Sequence, residues 1–195
     1  MGRACMCWGA RTTAKTTHRV GTTKKGVRAQ LPLAPGPARL RSEAMEIATA
    51  RQIAYATHRD QRDRSGELLV EHLERVAALV PEDAQSVAFL HDLLEWTPAS
   101  LAELEGSGLT EAEADAVRLL TRDPAESFEL HALRVAYAAG AAGRLARAVK
   151  LADIDDHLGH DSAGSATRPY GWARRHIAHS QERSDDRRPA LSSAA

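Results

Sequence analysis

The nine residues AFLHDLLEW, at positions 88–96, place one histidine and two acids inside an otherwise apolar run. In a helix, His91 and Glu95 lie four residues apart on one face, and Asp92 lies one step round and three residues before Glu95. The flanking leucines bring this group close to a hydrophobic core, where a carboxylate needs a cation or hydrogen bonds. Two interpretations stay open at this point: ligands or bases around a metal ion, and the polar side of an ordinary helix.

The composition around this stretch predicts one all-α domain. The chain has 195 residues, enough for one ordinary core, and only 4% of them are aromatic while Ala, Leu and Val abound. Periodic apolar positions and helix-start signals predict a bundle of about seven to eight helices. These helices lie near residues 43–58, 67–80, 82–96, 98–105, 111–121, 125–139, 142–158 and 170–183.

The two ends of the chain differ from its middle. Residues 1–42 contain nine Lys or Arg and no acid, which leaves 17 basic and 26 acidic residues in the rest. The composition predicts a disordered basic tail over 1–42, a folded domain over 43–182 and a disordered C-terminal tail over 183–195. The basic segment is either a real tail or a start-site artefact, with translation beginning at Met45, and both interpretations stay open.

Cysteine usage and charge limit the compartment and the partners. Cys5 and Cys7 lie too close together to staple a domain, so we expect a reducing compartment and a cytoplasmic protein. The longest uncharged run of the domain, VAYAAGAAG at 135–143, is too short to cross a bilayer, so no membrane partner is expected. The acidic folded part makes nucleic acid an unexpected partner. The sequence leaves the oligomeric state open.

A second acidic cluster, KLADIDDHLGHD, occupies residues 150–161. Asp153 differs from the later acids of this cluster because its neighbours are apolar, whereas the others are expected at a frayed, polar helix end. Asp153 and His72, which borders the apolar face of its predicted helix, extend the His91-Asp92 doublet to two histidines and two aspartates. This mixed set of nitrogen and oxygen ligands suits Mn²⁺, Fe²⁺ or a Mg²⁺-like ion better than Zn²⁺.

Three segments carry a resemblance to a known family. They read ATHRDQRDRSGELLVEHLERVA (56–77), AFLHDLLEWT (88–97) and AVKLADIDDHL (148–158). In order and spacing they resemble the HD-domain phosphohydrolases, specifically the hydrolase domain of Rel/Spo-type enzymes and the small stand-alone alarmone hydrolases. The resemblance covers about residues 46–180, and it implies an all-helical HD domain.

The resemblance also implies a metal and a reaction. The ligands that it implies for one Mn²⁺ ion are His72, His91, Asp92 and Asp153. The reaction that it implies is removal of the 3′-pyrophosphate of (p)ppGpp, in which the ion lowers the pKa of a bound water. Glu95, one turn beyond His91, is placed to take or steer the proton. We therefore expect a metal-dependent phosphohydrolase with a small nucleotide as its substrate.

The chain departs from the family pattern around the substrate. Trp96 stands where the family usually has a second acid, Asp63 replaces one member of a basic pair, and His157 stands where Asn is common. The candidates for substrate binding are Arg64, Lys150 and His157. Because of these departures, another nucleotide phosphate competes with (p)ppGpp as the substrate. The alternative function is a catalytically silent HD domain that binds a nucleotide or a protein partner.

Overall fold

Helices make up nearly all of the regular structure in the computed structural model, which describes residues 45–63, 66–160 and 167–185. These residues form no β structure beyond one isolated antiparallel bridge between Arg62 and Leu68, so the all-α prediction is confirmed. The helices are α1 Ile47–His58, α2 Leu69–Leu79, a 3-10 helix Glu82–Ala84, α3 Gln85–Leu90, α4 Leu93–Trp96, α5 Leu101–Gly106, α6 Glu111–Leu120, α7 Phe128–Tyr137, α8 Gly140–His160 and α9 Thr167–Asp185.

Seven of the eight predicted helices each have one counterpart, with ends shifted by a few residues, whereas the predicted helix 82–96 divides into shorter ones. The last helix begins earlier than expected and continues through residues 183–185, which the sequence analysis assigned to the C-terminal tail. The rest of that tail, the predicted basic tail at 1–42 and the substrate-binding candidate Arg64 lie outside the described residues.

The long helix α8 lies at the centre of the fold and packs against α2, α6, α7 and α9. One hydrophobic cluster joins its N-terminal part to α1, α2, α3 and α6. A second cluster, which includes Ile154 and Ile177, joins its C-terminal part to α7 and α9. Among the described helices, none combines the length and the hydrophobicity that a membrane span requires.

Helix α2 buries the face that its sequence predicts, since Leu69, Leu73 and Val76 are each at most 3% exposed. Apolar spacing predicts Met45, Ala48, Ile53 and Ala56 as the buried face of α1, and this prediction was partly wrong, because Ala48 and Ala56 are exposed. The buried residues of α1 are Ala50, Ile53, Ala54 and His58. Alanine gains little from burial, so a helix rich in alanine gives a weak signal of which face meets the core.

Two of the helix starts differ from the sequence prediction. Thr110 caps α6 with a complete capping box, as expected. However, α5 begins after Ser100 rather than at Thr97-Pro98, because the Thr97 hydroxyl instead donates to the last turn of α4. Similarly, α7 begins after Ser127, since the Asp123 carboxylate accepts the N–H of Ala125 and forms a turn. Capping residues thus predicted that a helix starts nearby. They did not predict the first residue of the helix, because two neighbouring capping residues can each start it.

The predicted helix 82–96 is broken at the His91-Asp92 doublet. A 3-10 turn leads into α3, which ends at Leu90, and α4 begins at Leu93. Asp92 has φ −93° and ψ −8°, which lies at the edge of the helical region and lets the chain turn. The two residues that the sequence singled out therefore lie in a turn between two short helices, rather than in a continuous helix.

Candidate metal centre

Three imidazole nitrogens from three parts of the fold converge on one carboxylate oxygen. The Oδ1 atom of Asp153, on α8, lies 3.4 Å from Nε2 of His72 on α2 and 3.8 Å from Nε2 of His91 in the α3–α4 turn. The same oxygen lies 3.2 Å from Nε2 of His157, one turn further along α8. Asp153, His72 and His91 are buried, whereas the side chain of His157 is 23% exposed.

Asp92 adds a second carboxylate, whose Oδ1 lies 3.4 Å from Nε2 of His91. Two triads have ligand atoms that all lie within 4.8 Å of one another: His72 with His91 and Asp92, and His72 with Asp153 and His157. Ligand atoms about 2.1 Å from a common ion lie roughly 3.0–3.5 Å from their neighbours. Each triad has a spacing compatible with an ion, and the two triads share His72. We call His72, His91, Asp92 and Asp153 the metal-centre cluster.

The orientation of two histidines also fits a metal. His72 Nδ1 donates to Asp156 Oδ2 at 2.7 Å, and His91 Nδ1 donates to the carbonyl of Ala88 at 2.8 Å. Their buried Nε2 atoms have no hydrogen-bond partner within the described part of the chain. A hydrogen bond from Nδ1 to an oxygen is the arrangement that commonly orients a metal-binding histidine. A cation at Nε2 would satisfy a nitrogen that otherwise stays buried and unpaired.

Carboxylates surround His72 and change its proton affinity. Burial on its own lowers the pKa of His72, but Asp153 and Asp156 outweigh this effect and raise the pKa to about 9. Without an ion the site therefore favours a positive charge on this imidazole. An ion at this site would compete with that proton, so its binding would release a proton.

Asp156 is a functional candidate that the sequence analysis missed. It was assigned to a frayed helix end, but α8 continues to His160 and Asp156 is 5% exposed. Arg75 donates to both of its oxygens, at 2.6 and 3.1 Å. Despite burial, the hydrogen bonds from His72 and Arg75 hold the pKa of Asp156 well below its usual range. The spacing from Asp153 was a usable signal, since residues three apart share a helix face.

His58 was also missed, although it lies beside the metal-centre cluster. It is fully buried at the end of α1, and its Nδ1 pairs with Gln61 Oε1 at 2.8 Å. Burial lowers its pKa, and it lies close enough to feel the charges of Asp92 and His91. A neutral imidazole in this place supports the wall of the site without adding a charge.

Lys150 provides the positive charge of the site. Its Nζ lies 2.8 Å from Oδ2 of Asp153, which follows three residues later on the same face of α8. Burial lowers the pKa of Lys150, but the negative charges of Asp153, Glu95 and Asp92 outweigh it and raise the pKa. In turn, although burial raises the pKa of Asp153, the Lys150 charge and the neighbouring histidines hold it well below the usual range. Asp153 therefore faces the imidazoles through one oxygen and Lys150 through the other.

Glu95 lies beside this group but not on the continuous helix face that the sequence predicted. It is an exposed residue of α4, and its carboxylate accepts the backbone N–H of Arg122 at 2.5 Å. Although the residue as a whole is exposed, burial of its carboxylate group among protein atoms, followed by repulsion from Asp92, raises the pKa of Glu95 to about 6. Such a carboxylate can exchange a proton near neutral pH.

The two remaining substrate candidates, His157 and Lys150, both lie at the metal-centre cluster. Arg144 and Arg147, which precede Lys150 at intervals of three residues, pair with other parts of the protein. Arg144 pairs with Asp83 at 2.7 Å, and Arg147 donates to the carbonyl of Ala138 at 2.5 Å.

In the loop before α2, the Asp63 carboxylate accepts the N–H of Glu67, and Gly66 provides the turn with φ +90°. Trp96 is half-buried at the end of α4.

His131 is a buried histidine next to the same charges. It is 1% exposed on α7, and its Nδ1 lies 3.0 Å from Nη2 of Arg134 and 3.5 Å from Glu126 Oε2. Burial, followed by the positive charges of Lys150 and Arg134, lowers the pKa of His131 to about 3, with a smaller contribution from Arg122. The negative charge of Glu126 opposes this shift only in part.

We expect His131 to make the protein less stable in mild acid. The unfolded chain binds a proton at this residue below about pH 6.5, whereas the folded protein does so only near pH 3. As the pH falls between these values, the free energy of unfolding decreases by up to about 1.4 kcal/mol per pH unit. The free energy of unfolding, measured with urea at pH 5.0 and at pH 6.5, should differ less between the two pH values in His131→Gln than in the original protein. The exposed His160→Gln serves as the control, and an unchanged difference in His131→Gln would contradict the assignment.

The metal-centre cluster brings together all four predicted ligands, which belong to α2, the α3–α4 turn and α8. Neither a protein-family model nor a curated protein matches this sequence in comparisons with known proteins. Membership of the HD-domain family therefore stays a prediction based on the three quoted segments, and the roles of the ligands stay predictions based on chemistry and geometry.

Proposed function

We propose that the protein is a metal-dependent phosphohydrolase that acts on a nucleotide phosphate, with (p)ppGpp as the first substrate to test. The observation that carries the proposal is the convergence of His72, His91 and Asp153, with unpaired Nε2 atoms aimed at a carboxylate oxygen. Asp92 contributes a further anionic ligand beside His91. The Nε2 atom of His91 lies 3.4 and 3.8 Å from two carboxylate oxygens without a hydrogen bond, and a cation between these atoms would satisfy all of them.

Each residue has a defined part in this proposal. The metal-centre cluster would hold the ion, with Mn²⁺ the candidate that the family resemblance implies. When bound, the ion lowers the pKa of a water and neutralises phosphate charge. Glu95, whose pKa is raised to about 6, would accept a proton at its carboxylate from the attacking water. Lys150 offers a fixed positive charge to phosphate oxygens in an otherwise acidic domain.

One observation favours the silent alternative. The Glu95 carboxylate already accepts a hydrogen bond from Arg122, which stabilises its charged form and fixes its orientation. Trp96 follows it in place of the second acid of the resembled family. A site with bound metal and an unproductive Glu95 would bind a nucleotide without hydrolysing it.

The deciding experiment is hydrolysis by the full chain with Mn²⁺. We expect release of pyrophosphate from (p)ppGpp, or of phosphate from a panel of nucleotides, and we expect Asp92→Ala to abolish it. Bound metal and measurable nucleotide binding without turnover would favour the silent alternative. A protein that retains no metal under any condition would overturn the ligand assignment itself.

Replacing Glu95 with Gln is expected to lower kcat about 10²- to 10⁴-fold while the protein keeps its metal. The amide has a similar shape but cannot accept the proton. The exposed Glu105→Gln, on α5, is the matched control and should leave kcat unchanged. Metal content is measured on the same samples, and a Glu95→Gln protein with unchanged kcat would remove this residue from the mechanism.

A further inference from the structure

We propose that His157 is a fifth protein ligand of the metal centre, so that the site consists of three imidazoles and two carboxylates. This inference rests on the proposed metal site and extends it. By sequence, His157 is a candidate for substrate binding, at a position where the resembled family commonly has Asn. An imidazole binds late transition metals much more strongly than an amide does, so this one residue changes the chemistry of the site.

The first support is distance. His157 Nε2 lies 3.2 Å from Asp153 Oδ1, which is shorter than the corresponding distances from His72 and His91. Its ligand atom also lies within 4.8 Å of those of His72 and Asp153. Because neighbouring ligands of one ion are roughly 3.0–3.5 Å apart, the distance from His157 to Asp153 is as compatible with a shared ion as the distances from His72 and His91 are.

The second support is the fixed position of the ring. The His157 imidazole stacks on that of His72, with centroids 5.0 Å apart, and on the ring of Tyr170, with centroids 5.3 Å apart and planes within 2°. Tyr170 is 7% exposed and packs edge-on against Phe128. His157 is therefore held on both faces, and its Nε2 points at the metal-centre cluster before any ion binds.

The competing role for His157 is a simple ion pair with Asp153. Lys150 already neutralises Asp153 through its other oxygen at 2.8 Å, so a charge on His157 is not needed to balance this carboxylate. A second cation beside Lys150 would be repelled by it, whereas an imidazole that offers its Nε2 lone pair to an ion would not.

A ligand set with three imidazoles changes metal preference. Added nitrogen ligands strengthen binding along the series from Mn²⁺ through Fe²⁺ to Co²⁺, and carboxylate-only sites discriminate less among these ions. We therefore expect the original protein to bind Co²⁺ much more tightly than Mn²⁺, and His157→Asn to narrow that difference.

The first test is metal titration of the full chain after chelator treatment. His157→Asn should bind Co²⁺ at least about 10-fold more weakly, since even outer partners of metal ligands contribute 10- to 100-fold. Its visible Co²⁺ spectrum should change as well. His179→Asn, at an exposed histidine of α9, should leave both affinity and spectrum unchanged. Circular dichroism confirms that each variant is folded.

The second test gives a direct signature. His157→Cys should add a thiolate-to-cobalt charge-transfer band in the near ultraviolet that is absent from the original protein and from His179→Cys. Cys5 and Cys7 are present in all three proteins and therefore cancel in the comparison. If the original protein binds Co²⁺ but His157→Asn has the same affinity and spectrum and His157→Cys lacks the band, the fifth ligand is refuted while the four-ligand site stands. If the original protein binds no metal, both the proposed function and this inference fail.

Discussion

Replacing Asp153 with Asn is expected to lower Mn²⁺ affinity at least about 100-fold and to abolish turnover, because this carboxylate lies at the centre of the site. Its Oδ1 is the oxygen on which three imidazoles converge, and its Oδ2 pairs with Lys150. Asparagine keeps the size of the side chain but removes the negative charge that the ion needs. Calorimetric titration of the metal-free protein, with hydrolysis assays on the same samples, measures both effects.

Asp155→Asn is the matched control for this substitution. Asp155 lies two residues further along α8, is only half-buried and pairs with Arg174 on α9 at 2.5 Å. We expect this variant to keep both metal and activity. Equal metal affinity in the Asp153→Asn and Asp155→Asn proteins would mean that the ion, if any, binds elsewhere.

The largest effect on stability is expected from Glu113→Ala, which should lower the free energy of unfolding by about 3 kcal/mol. Glu113 is 2% exposed, and its Oε1 accepts the Ser86 hydroxyl at 2.7 Å. Its Oε2 accepts the N–H and the hydroxyl of Thr110 and the N–H of Met45, at 2.9, 2.8 and 3.3 Å. Alanine would leave these donors without their acceptor in a buried place and would open a cavity.

Urea unfolding at neutral pH measures this loss. Glu111→Ala is the control, since Glu111 lies two residues earlier in the first turn of α6 but is exposed. The loss in free energy of unfolding for Glu113→Gln should lie between those of Glu113→Ala and Glu111→Ala. Its amide keeps one oxygen acceptor but brings an N–H₂ group toward other donors. A loss below about 1 kcal/mol in Glu113→Ala would mean that water replaces the carboxylate.

Local periodicity predicted the helices well where large apolar residues recur, as Leu69, Leu73 and Val76 do in α2. Periodicity failed where contacts with distant parts of the chain decide the local structure. The break between α3 and α4 occurs at His91 and Asp92, although neither residue is a strong helix breaker. No local rule marks this turn, because the chain turns there to bring both side chains to α2 and α8.

In the candidate site, too, some residues were predictable from the sequence and others became visible only in the fold. His72, His91, Asp92 and Asp153 were predicted from residue type, apolar surroundings and family order, and the fold brings them together. The pairing of Arg75 with Asp156 spans 81 positions and follows from the packing of α2 on α8, so sequence spacing alone could not reveal it. The hydrogen bond between Arg122 and Glu95 is likewise visible only after folding.

The arrangement of the metal-centre cluster also has a consequence for how the protein folds. Its residues come from α2, the α3–α4 turn and α8. His72 and His91 are 19 positions apart, and His91 and Asp153 are 62 positions apart. An ion held there acts as a cross-link between three segments that the unfolded chain keeps far apart. The metal would therefore stabilise the fold, and metal supply would control how much of the protein survives heat and proteolysis, independently of any catalytic role.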